Sequence, residues 1–302
     1  MDFGRLVTAM VTPFNQSLQI DWEQTAKLID WLIEEQKSDS IVVCGTTGES
    51  PTLSEKEKEE LFHFAVRHVN GRAKVIAGTG SYDTAHTIHL THLAENAGVD
   101  GVLLVAPYYN RPSAEGLYQH FATIAASTRL PIMLYNIPSR TGINISVEVT
   151  ERLSLIPNIV AIKESSGELD HMSNILTRVS PNFKLYSGDD SIILPVMSIG
   201  GYGVVSVASH VIGKPIREMM DAYLSGQVAK ASEMHIKYTP VFKGLFKCPH
   251  RVPNPVPVKY ALGVCGIPVG DVRLPLVKLT ADEANFVQSL MEQFQLVDGT
   301  KH

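Results

Sequence analysis

Short apolar segments rich in β-branched residues recur along the first two thirds of the chain, and each is followed by a more polar segment. Their near-continuous hydrophobicity is typical of strands that are covered on both faces, as in parallel sheets. The eight predicted strands are Leu6–Met10, Ile41–Cys44, Lys74–Ala77, Val102–Ala106, Ile132–Tyr135, Ile159–Ile162, Phe183–Tyr186 and Val204–Val207.

The segments between these strands carry the spacing of amphipathic helices. Apolar residues recur every three or four positions from Trp22 to Ile33, which indicates a helix with one buried face. Ser54 is placed to begin a second helix, and Gly98 to end a third. Strands that alternate with helices at intervals of about 20 to 35 residues favour a closed (β/α)₈ barrel over an open doubly wound sheet.

The alternation stops after about residue 210. The remaining helix-like segments, separated by proline-rich breaks, are Ile216–Leu224, Val228–Phe246, Val256–Val264 and Ala281–Phe294. We therefore predict an α/β protein in which residues 1–212 form a (β/α)₈ TIM barrel and residues 213–302 form a C-terminal helical extension.

Composition narrows the class of protein. Of the 302 residues, 44% are hydrophobic and 19% are charged, which argues against intrinsic disorder. The net charge is −5 and no basic run is present, so nucleic acid and anionic membranes are poor partners. The three cysteines form no Cys-x-x-Cys pair. The sequence also lacks a signal peptide and an apolar span of roughly 20 residues. Together these features predict a cytoplasmic protein.

Lys163 places a charge at the end of the sixth predicted strand, after four apolar residues. The carboxyl ends of barrel strands build the active site, so this lysine should lie at the mouth of the barrel. Burial disfavours the ammonium form and exposes the lone pair that attacks a carbonyl. Lys163 is therefore a Schiff-base candidate. An ion pair with Glu164, or with another acid at a strand end, is an equal alternative from position alone.

Other candidate groups follow neighbouring strands. Tyr135 could transfer protons, and Arg140 could bind a carboxylate through its planar guanidinium group; a packed ring and a solvated cation are the alternatives. Two glycines and two threonines in Gly45–Ser50 could present N–H and O–H donors to a carboxylate or a phosphate. No Gly-Lys-Ser/Thr follows them, which argues against a phosphate loop.

Taken together, these motifs resemble the dihydrodipicolinate synthase family, also called the 4-hydroxy-tetrahydrodipicolinate synthase family, from Gly4 to about Leu296. The segments that carry the resemblance are Gly45–Glu49, Tyr108–Tyr109, Tyr135–Gly142, Ile162–Glu164, Ser187–Asp190, Gly200–Ser206 and Pro253–Lys259. The wider superfamily of pyruvate-dependent aldolases and lyases shares the barrel, the lysine and the tyrosine of the fifth strand. The residues that distinguish the synthase from relatives acting on sialic acid or sugar-derived keto acids are Thr46, Thr47, Tyr109 and Arg140.

The resemblance implies a carbon-oxygen lyase that condenses pyruvate with L-aspartate 4-semialdehyde on the diaminopimelate route to lysine. Lys163 would form an imine with pyruvate, and the derived enamine would attack the aldehyde. This covalent imine takes the place of a cofactor, and no metal is expected. The implied catalytic residues are Lys163, Tyr135, Thr46 and Tyr109. The implied substrate-binding residues are Thr47, Arg140, Val205 and Gly188.

The resemblance also implies a homo-oligomer, either a dimer or a tetramer built as a dimer of dimers, in which Tyr109 crosses into the site of a neighbouring subunit. Lysine-inhibited bacterial members carry His, His, Asn and Glu where this chain has Glu55, Lys58, Tyr82 and His86. The carboxylate at position 86 is lost and Lys58 adds a repelling charge, although Glu55 offers a partial replacement. We therefore predict weak or absent feedback by L-lysine.

Three alternatives remain open from the sequence. The nearest is another pyruvate-dependent Schiff-base aldolase that acts on a sugar-derived or hydroxylated 2-keto acid. A pyridoxal phosphate barrel that uses Lys163 for its cofactor is a second, and visible absorbance of the purified protein would distinguish it. A keto-acid sensor without turnover is the third.

Overall fold

The computed structural model of the protein describes residues 2–297. Eight parallel strands form a closed barrel in chain order, with the eighth strand paired to the first. They are β1 (Leu6–Ala9), β2 (Ser40–Val43), β3 (Lys74–Gly78), β4 (Gly101–Val105), β5 (Ile132–Asn136), β6 (Ile159–Glu164), β7 (Lys184–Ser187) and β8 (Gly203–Ser206). All eight predicted strands and the TIM barrel are confirmed, with ends that differ by one or two residues.

Helices cover the outside of the barrel and continue beyond it. They are α1 (Trp22–Asp30), α2 (Glu55–Val69), α3 (Thr84–Ala97), α4 (Ala114–Ser127), α5 (Pro138–Thr141), α6 (Val147–Ser154), α7 (Leu169–Arg178), α8 (Ile193–Ser198), α9 (Ser209–Leu224), α10 (Val228–Gly244), α11 (Val256–Val264) and α12 (Ala281–Gln293). Within residues 2–297, no helix is both long and apolar enough to cross a membrane.

Local sequence sets several helix ends. Ser54 begins α2 through a capping box, in which its side chain accepts from the backbone of Glu57 and the Glu57 side chain accepts from the backbone of Ser54. Gly98 ends α3 with a φ of 83°, a conformation that glycine adopts without steric cost. Both predicted ends are therefore confirmed. A π-helical turn at Trp31–Glu35 continues α1, which the apolar spacing did not predict.

Alternation along each strand divides the barrel into two cores. On β5, Met133 and Tyr135 belong to the inner core, whereas Ile132 and Leu134 belong to the core between the strands and the helices. This division follows from the period of two residues along a strand. A residue two positions beyond an inward-facing one therefore also faces inward, and at the carboxyl end of a strand it lies at the mouth of the barrel.

The C-terminal helices share the outer core of the barrel. Leu262 of α11 and Met291 of α12 are buried in the same cluster as Leu28 of α1. The predicted boundary between residues 212 and 213 lies within α9, where Ile212 departs from helical geometry with φ −131° and ψ 33°. The division into two domains stays a prediction, and residues 298–302 of the predicted extension lie outside the described residues.

Candidate active site

Lys163 points into the barrel, two residues beyond the inward-facing Ala161 of β6. It is 5% exposed. Its Nζ atom lies 4.1 Å from the centre of the Tyr135 ring, and Tyr135 is the residue of β5 that pairs with Lys163 in the sheet register. Lys163 forms no ion pair with a carboxylate of residues 2–297. The amine therefore contacts an aromatic face instead of a counter-ion.

Glu164 points to the opposite side of β6. It is fully buried and accepts hydrogen bonds from Asn136 Nδ2 at 2.8 Å and from the Ser166 backbone N–H at 2.7 Å. His171 Nε2 lies 3.5 Å from Glu164 Oε2, and this contact with Glu164 is the main cause that raises the pKa of His171. The alternative in which Lys163 pairs with Glu164 is therefore wrong, because successive strand residues point to opposite faces.

Gly188 leaves room for the lysine side chain at the end of β7. A Cβ atom at this position would lie 2.9 Å from Lys163 Cε and would overlap Ser165 Oγ. Val205 of β8 is buried in the inner core and pairs with Val7 of β1. The lysine side chain thus occupies space that any larger residue at position 188 would need, whereas the roles of Gly188 and Val205 in substrate binding stay predictions.

The threonine loop, Gly45–Ser50, follows β2 and is held by hydrogen bonds and an ion pair. Thr12 Oγ1 donates to the Gly48 carbonyl at 2.7 Å. Asn254 Nδ2 donates to Thr47 Oγ1 at 2.9 Å. Glu49 has a left-handed backbone with φ 56°, and its Oε1 lies 2.7 Å from Lys259 Nζ. The C-terminal region therefore contacts the loop at two positions, Thr47 and Glu49.

Lys259 and Glu49 form a buried ion pair, with side chains that are 2% and 1% exposed. Burial is the main cause that lowers the pKa of Lys259 to about 8, and the charge of Glu49 opposes this shift. The Lys259 amine also donates to the Asp271 carbonyl at 2.8 Å. A buried pair of this kind is costly to break, because the remaining charge loses its partner without regaining water.

A cavity of about 700 Å³ is lined by residues at and just beyond the carboxyl ends of several barrel strands. Thr46, Tyr135 and Arg140 line it. Arg140 is exposed, and it forms no ion pair with a carboxylate of residues 2–297, so its guanidinium group is available to a carboxylate ligand. Thr47, Lys163, Gly188 and Val205 do not line this cavity. Tyr135 connects the two sets, because it lines the cavity and contacts Lys163.

Tyr109 lies away from this cluster. It is 93% exposed and has a left-handed φ of 70°, whereas its neighbour Tyr108 lines the cavity. Tyr108 packs edge-on against Tyr82 with ring centres 5.3 Å apart, and burial raises the pKa of Tyr108. The predicted entry of Tyr109 into the site of a neighbouring subunit stays a prediction.

The four positions compared with lysine-inhibited relatives line the same cavity; they are Glu55, Lys58, Tyr82 and His86. Oxygen atoms of Glu55 lie 3.4 Å from His86 Nδ1 and 3.4 Å from His89 Nε2. Burial lowers the pKa of Lys58, and the charge of Glu55 opposes this shift. Glu55, whose carboxylate could replace the one missing at position 86, therefore already has two histidine neighbours.

The sequence provides no role for two groups that contact the site. Asn254 lies far along the chain from its partner Thr47, and Lys259 lies far from Glu49. No periodicity or local motif links the members of either pair. They lie in segments that carry the family resemblance, which was the only available signal. No group of three or more His, Cys, Asp or Glu side chains within residues 2–297 could hold a metal ion.

Comparisons with known proteins show which family this chain resembles along its length. The model of the dihydrodipicolinate synthetase family matches residues 2–294. The chain is 53% identical over 298 residues to 4-hydroxy-tetrahydrodipicolinate synthase of Desulforamulus reducens, covering 98% of this chain and 99% of that relative. It is also 53% identical over 296 residues to the protein of the same name from Heliobacterium modesticaldum, covering 98% and 97%. A crystal structure of dihydrodipicolinate synthase from Bacillus anthracis superposes with a TM-score of 0.94 at 50% identity and covers 97% of this chain and 98% of that one.

Proposed function

The chain belongs to the dihydrodipicolinate synthetase family, and from this membership we propose that it condenses pyruvate with L-aspartate 4-semialdehyde to give 4-hydroxy-tetrahydrodipicolinate. One observation carries the proposal. A buried lysine, without a carboxylate partner among residues 2–297, lies on the ring of Tyr135, and Tyr135 lines a cavity that also presents Thr46 and Arg140. The side-chain nitrogen of a lysine is a nucleophile that can form an imine with the ketone of pyruvate.

The reaction begins at Lys163. Its nitrogen attacks the ketone carbon of pyruvate, and loss of water leaves a protonated imine. The positive nitrogen makes the adjacent methyl group acidic, so a proton leaves and an enamine forms. The enamine carbon attacks the aldehyde of the semialdehyde, whose oxygen becomes a hydroxyl group. The amino group of that substrate then attacks the imine carbon, releases Lys163 and closes the ring. The water lost in the first step is the only by-product, and the product places the enzyme in the lyase class, as a carbon-oxygen lyase.

Two carboxylates need partners during this sequence. The hydroxyl and backbone donors of Thr46 and Thr47 would hold the pyruvate carboxylate, with the backbone of Val205 and the space left by Gly188 completing that pocket. Arg140 would bind the carboxylate of the semialdehyde, since a guanidinium group can form two parallel hydrogen bonds with a carboxylate. Its exposure at the cavity supports this role.

Proton transfer falls to Tyr135, which contacts the lysine and lines the cavity. Thr46 lines the same cavity, and Tyr109 of a neighbouring subunit would complete a chain of hydroxyl groups. Such a chain moves protons without leaving a free charge in the site. The active unit is then a homo-oligomer, either a dimer or a dimer of dimers, and the reaction uses no metal or other cofactor. The enzyme works in the cytoplasm on the diaminopimelate route to lysine.

A steady-state assay tests the proposal. Purified protein should consume pyruvate only when L-aspartate 4-semialdehyde is present, in a one-to-one ratio, and should give the cyclic product detected by mass spectrometry. The matched comparison is cleavage of sialic acid or of a sugar-derived 2-keto acid, which should be far slower. Faster turnover of the sugar-derived compound would contradict the proposed second substrate. Binding of pyruvate without any turnover would contradict enzymatic function.

A further inference from the structure

Asn254 contacts the threonine loop from the C-terminal region. Its Nδ2 atom donates to Thr47 Oγ1 at 2.9 Å, although the two residues lie 207 positions apart. Asn254 is 8% exposed and Thr47 is 3% exposed, so water does not compete freely for this bond. A buried hydrogen bond between such distant segments fixes the hydroxyl group of Thr47 in one orientation.

The direction of this bond determines what Thr47 can offer a ligand. A threonine hydroxyl has one proton to donate and two lone pairs that accept, whereas an amide nitrogen only donates. Asn254 therefore occupies an acceptor position of Thr47 Oγ1 and leaves the Thr47 proton for another group. A carboxylate, which only accepts, is the complementary ligand.

A second contact holds the loop two residues further along. Lys259 and Glu49 form their buried ion pair at 2.7 Å, and the Arg273 backbone N–H donates to Glu49 Oε2 at 2.9 Å. Asn254 and Lys259 lie five positions apart in the same part of the chain. The C-terminal region thus fixes both the backbone of the loop and the hydroxyl group that the loop presents.

We propose that Asn254 is a positioning residue for pyruvate, because its amide directs the Thr47 hydroxyl proton toward the substrate carboxylate. The inference rests on the proposed function, in which Thr47 binds that carboxylate. Asn254 acts through Thr47 and does not contact the reacting atoms. Its loss should therefore weaken pyruvate binding and leave the chemical steps intact.

The experiment measures how borohydride trapping of pyruvate on Lys163 depends on pyruvate concentration, together with steady-state KM and kcat. In Asn254→Ala, the Thr47 proton is no longer directed toward the substrate, and weakening of its hydrogen bond to the charged carboxylate should raise the half-saturating pyruvate concentration about tenfold. The value of kcat at saturating pyruvate should not change, as expected when the lost interaction is equally strong in the ground state and the transition state. Asn254→Asp keeps the shape of the side chain but accepts the Thr47 proton, so it should raise that concentration further than alanine does.

Asn158→Ala is the matched control for structural damage. Asn158 Nδ2 also links distant segments, since it donates to the carbonyls of Ala125 and Thr128 at 3.0 Å each, but it lies at the opposite end of the barrel strands. This variant should lower the melting temperature without shifting the pyruvate dependence. A double variant tests the route of the effect: Thr47→Val with Asn254→Ala should match Thr47→Val alone.

The outcomes are distinct. If wild-type Lys163 is not trapped by pyruvate, the proposed function fails and takes this inference with it. If wild type is trapped and folded Asn254→Ala and Asn254→Asp keep the wild-type pyruvate dependence, the inference alone is overturned. Independent, multiplying effects of Thr47→Val and Asn254→Ala would also overturn it. If Asn254→Ala does not fold, Asn254→Asp and the Thr47→Val background decide the result.

Discussion

Substitution of Gly188 by alanine tests whether the position of the lysine amine limits the reaction. The added Cβ atom would lie 2.9 Å from Lys163 Cε and 3.1 Å from Lys163 Cγ, and it would overlap the hydroxyl group of Ser165. Carbon atoms in favourable contact are about 3.5 to 4.0 Å apart. The lysine side chain must therefore move by roughly 0.5 to 1 Å to relieve the contact.

Two effects of different size follow from this displacement. Overpacking of a well-filled interior costs about 1 to 3 kcal/mol of folding stability. Displacement of a reacting group by about 1 Å can lower the rate about 100-fold. We therefore expect Gly188→Ala to fold with reduced stability and to lose about 100-fold in kcat, a loss too large to be explained by a fraction of unfolded protein.

Gly263→Ala is the matched control. Gly263 is an exposed residue of α11, and a Cβ atom at this position would have no neighbour within 4 Å. Alanine should therefore keep wild-type activity and add up to about 1 kcal/mol of stability, because it is a better helix former. The assays are kcat with both substrates and unfolding in urea. Wild-type kcat in folded Gly188→Ala would refute the reasoning, as would an equal loss in Gly263→Ala.

Three further predictions concern charges. Lys259→Met should lose about 3 to 5 kcal/mol in urea unfolding because it leaves Glu49 charged and buried, and adding Glu49→Gln should recover most of the loss; a single variant of wild-type stability would contradict this. The raised pKa of His171 means that its protonated form stabilises the fold below the ordinary pKa of about 6.5, and that this contribution disappears as pH rises through the folded-state pKa. His171→Gln should therefore lose more stability at about pH 5.5 than at about pH 9, and an equal loss at both pH values would argue against the charged pair. Micromolar L-lysine should leave the rate unchanged because Lys58 repels its amines, and inhibition in a steady-state assay would show the opposite.

The barrel was predictable because its strands are buried on both faces. Their apolar runs stand out from the polar helix starts and glycine-rich turns around them. The predicted ends of the strands were less accurate than their positions. For example, β6 runs to Glu164, two residues past its predicted end. Lys163 and Glu164 are charged, so they lack the apolar signal of a strand, yet both pair with β5 in register. Their alternation also explains why Lys163 does not pair with its neighbour.

The lysine could be found because a charge after an apolar strand has few structural explanations. The residues that support the site could not be found in this way. The contacts of Asn254 with Thr47 and of Lys259 with Glu49 join segments about 200 residues apart, and hydrophobic periodicity carries no information on such pairs. Gly188 shows the same limit, since its importance depends on the path of the Lys163 side chain.

Borohydride reduction in the presence of pyruvate, followed by peptide mass mapping, identifies the lysine that bonds to the substrate. We expect one reduced pyruvate adduct per chain, located on Lys163, and none in Lys163→Arg. Lys184→Arg is the matched control, because Lys184 on β7 also lies over a tyrosine ring, with its Nζ 4.9 Å from the centre of Tyr202, and this variant should be trapped like wild type. An adduct on another lysine, or full turnover in Lys163→Arg, would contradict the account.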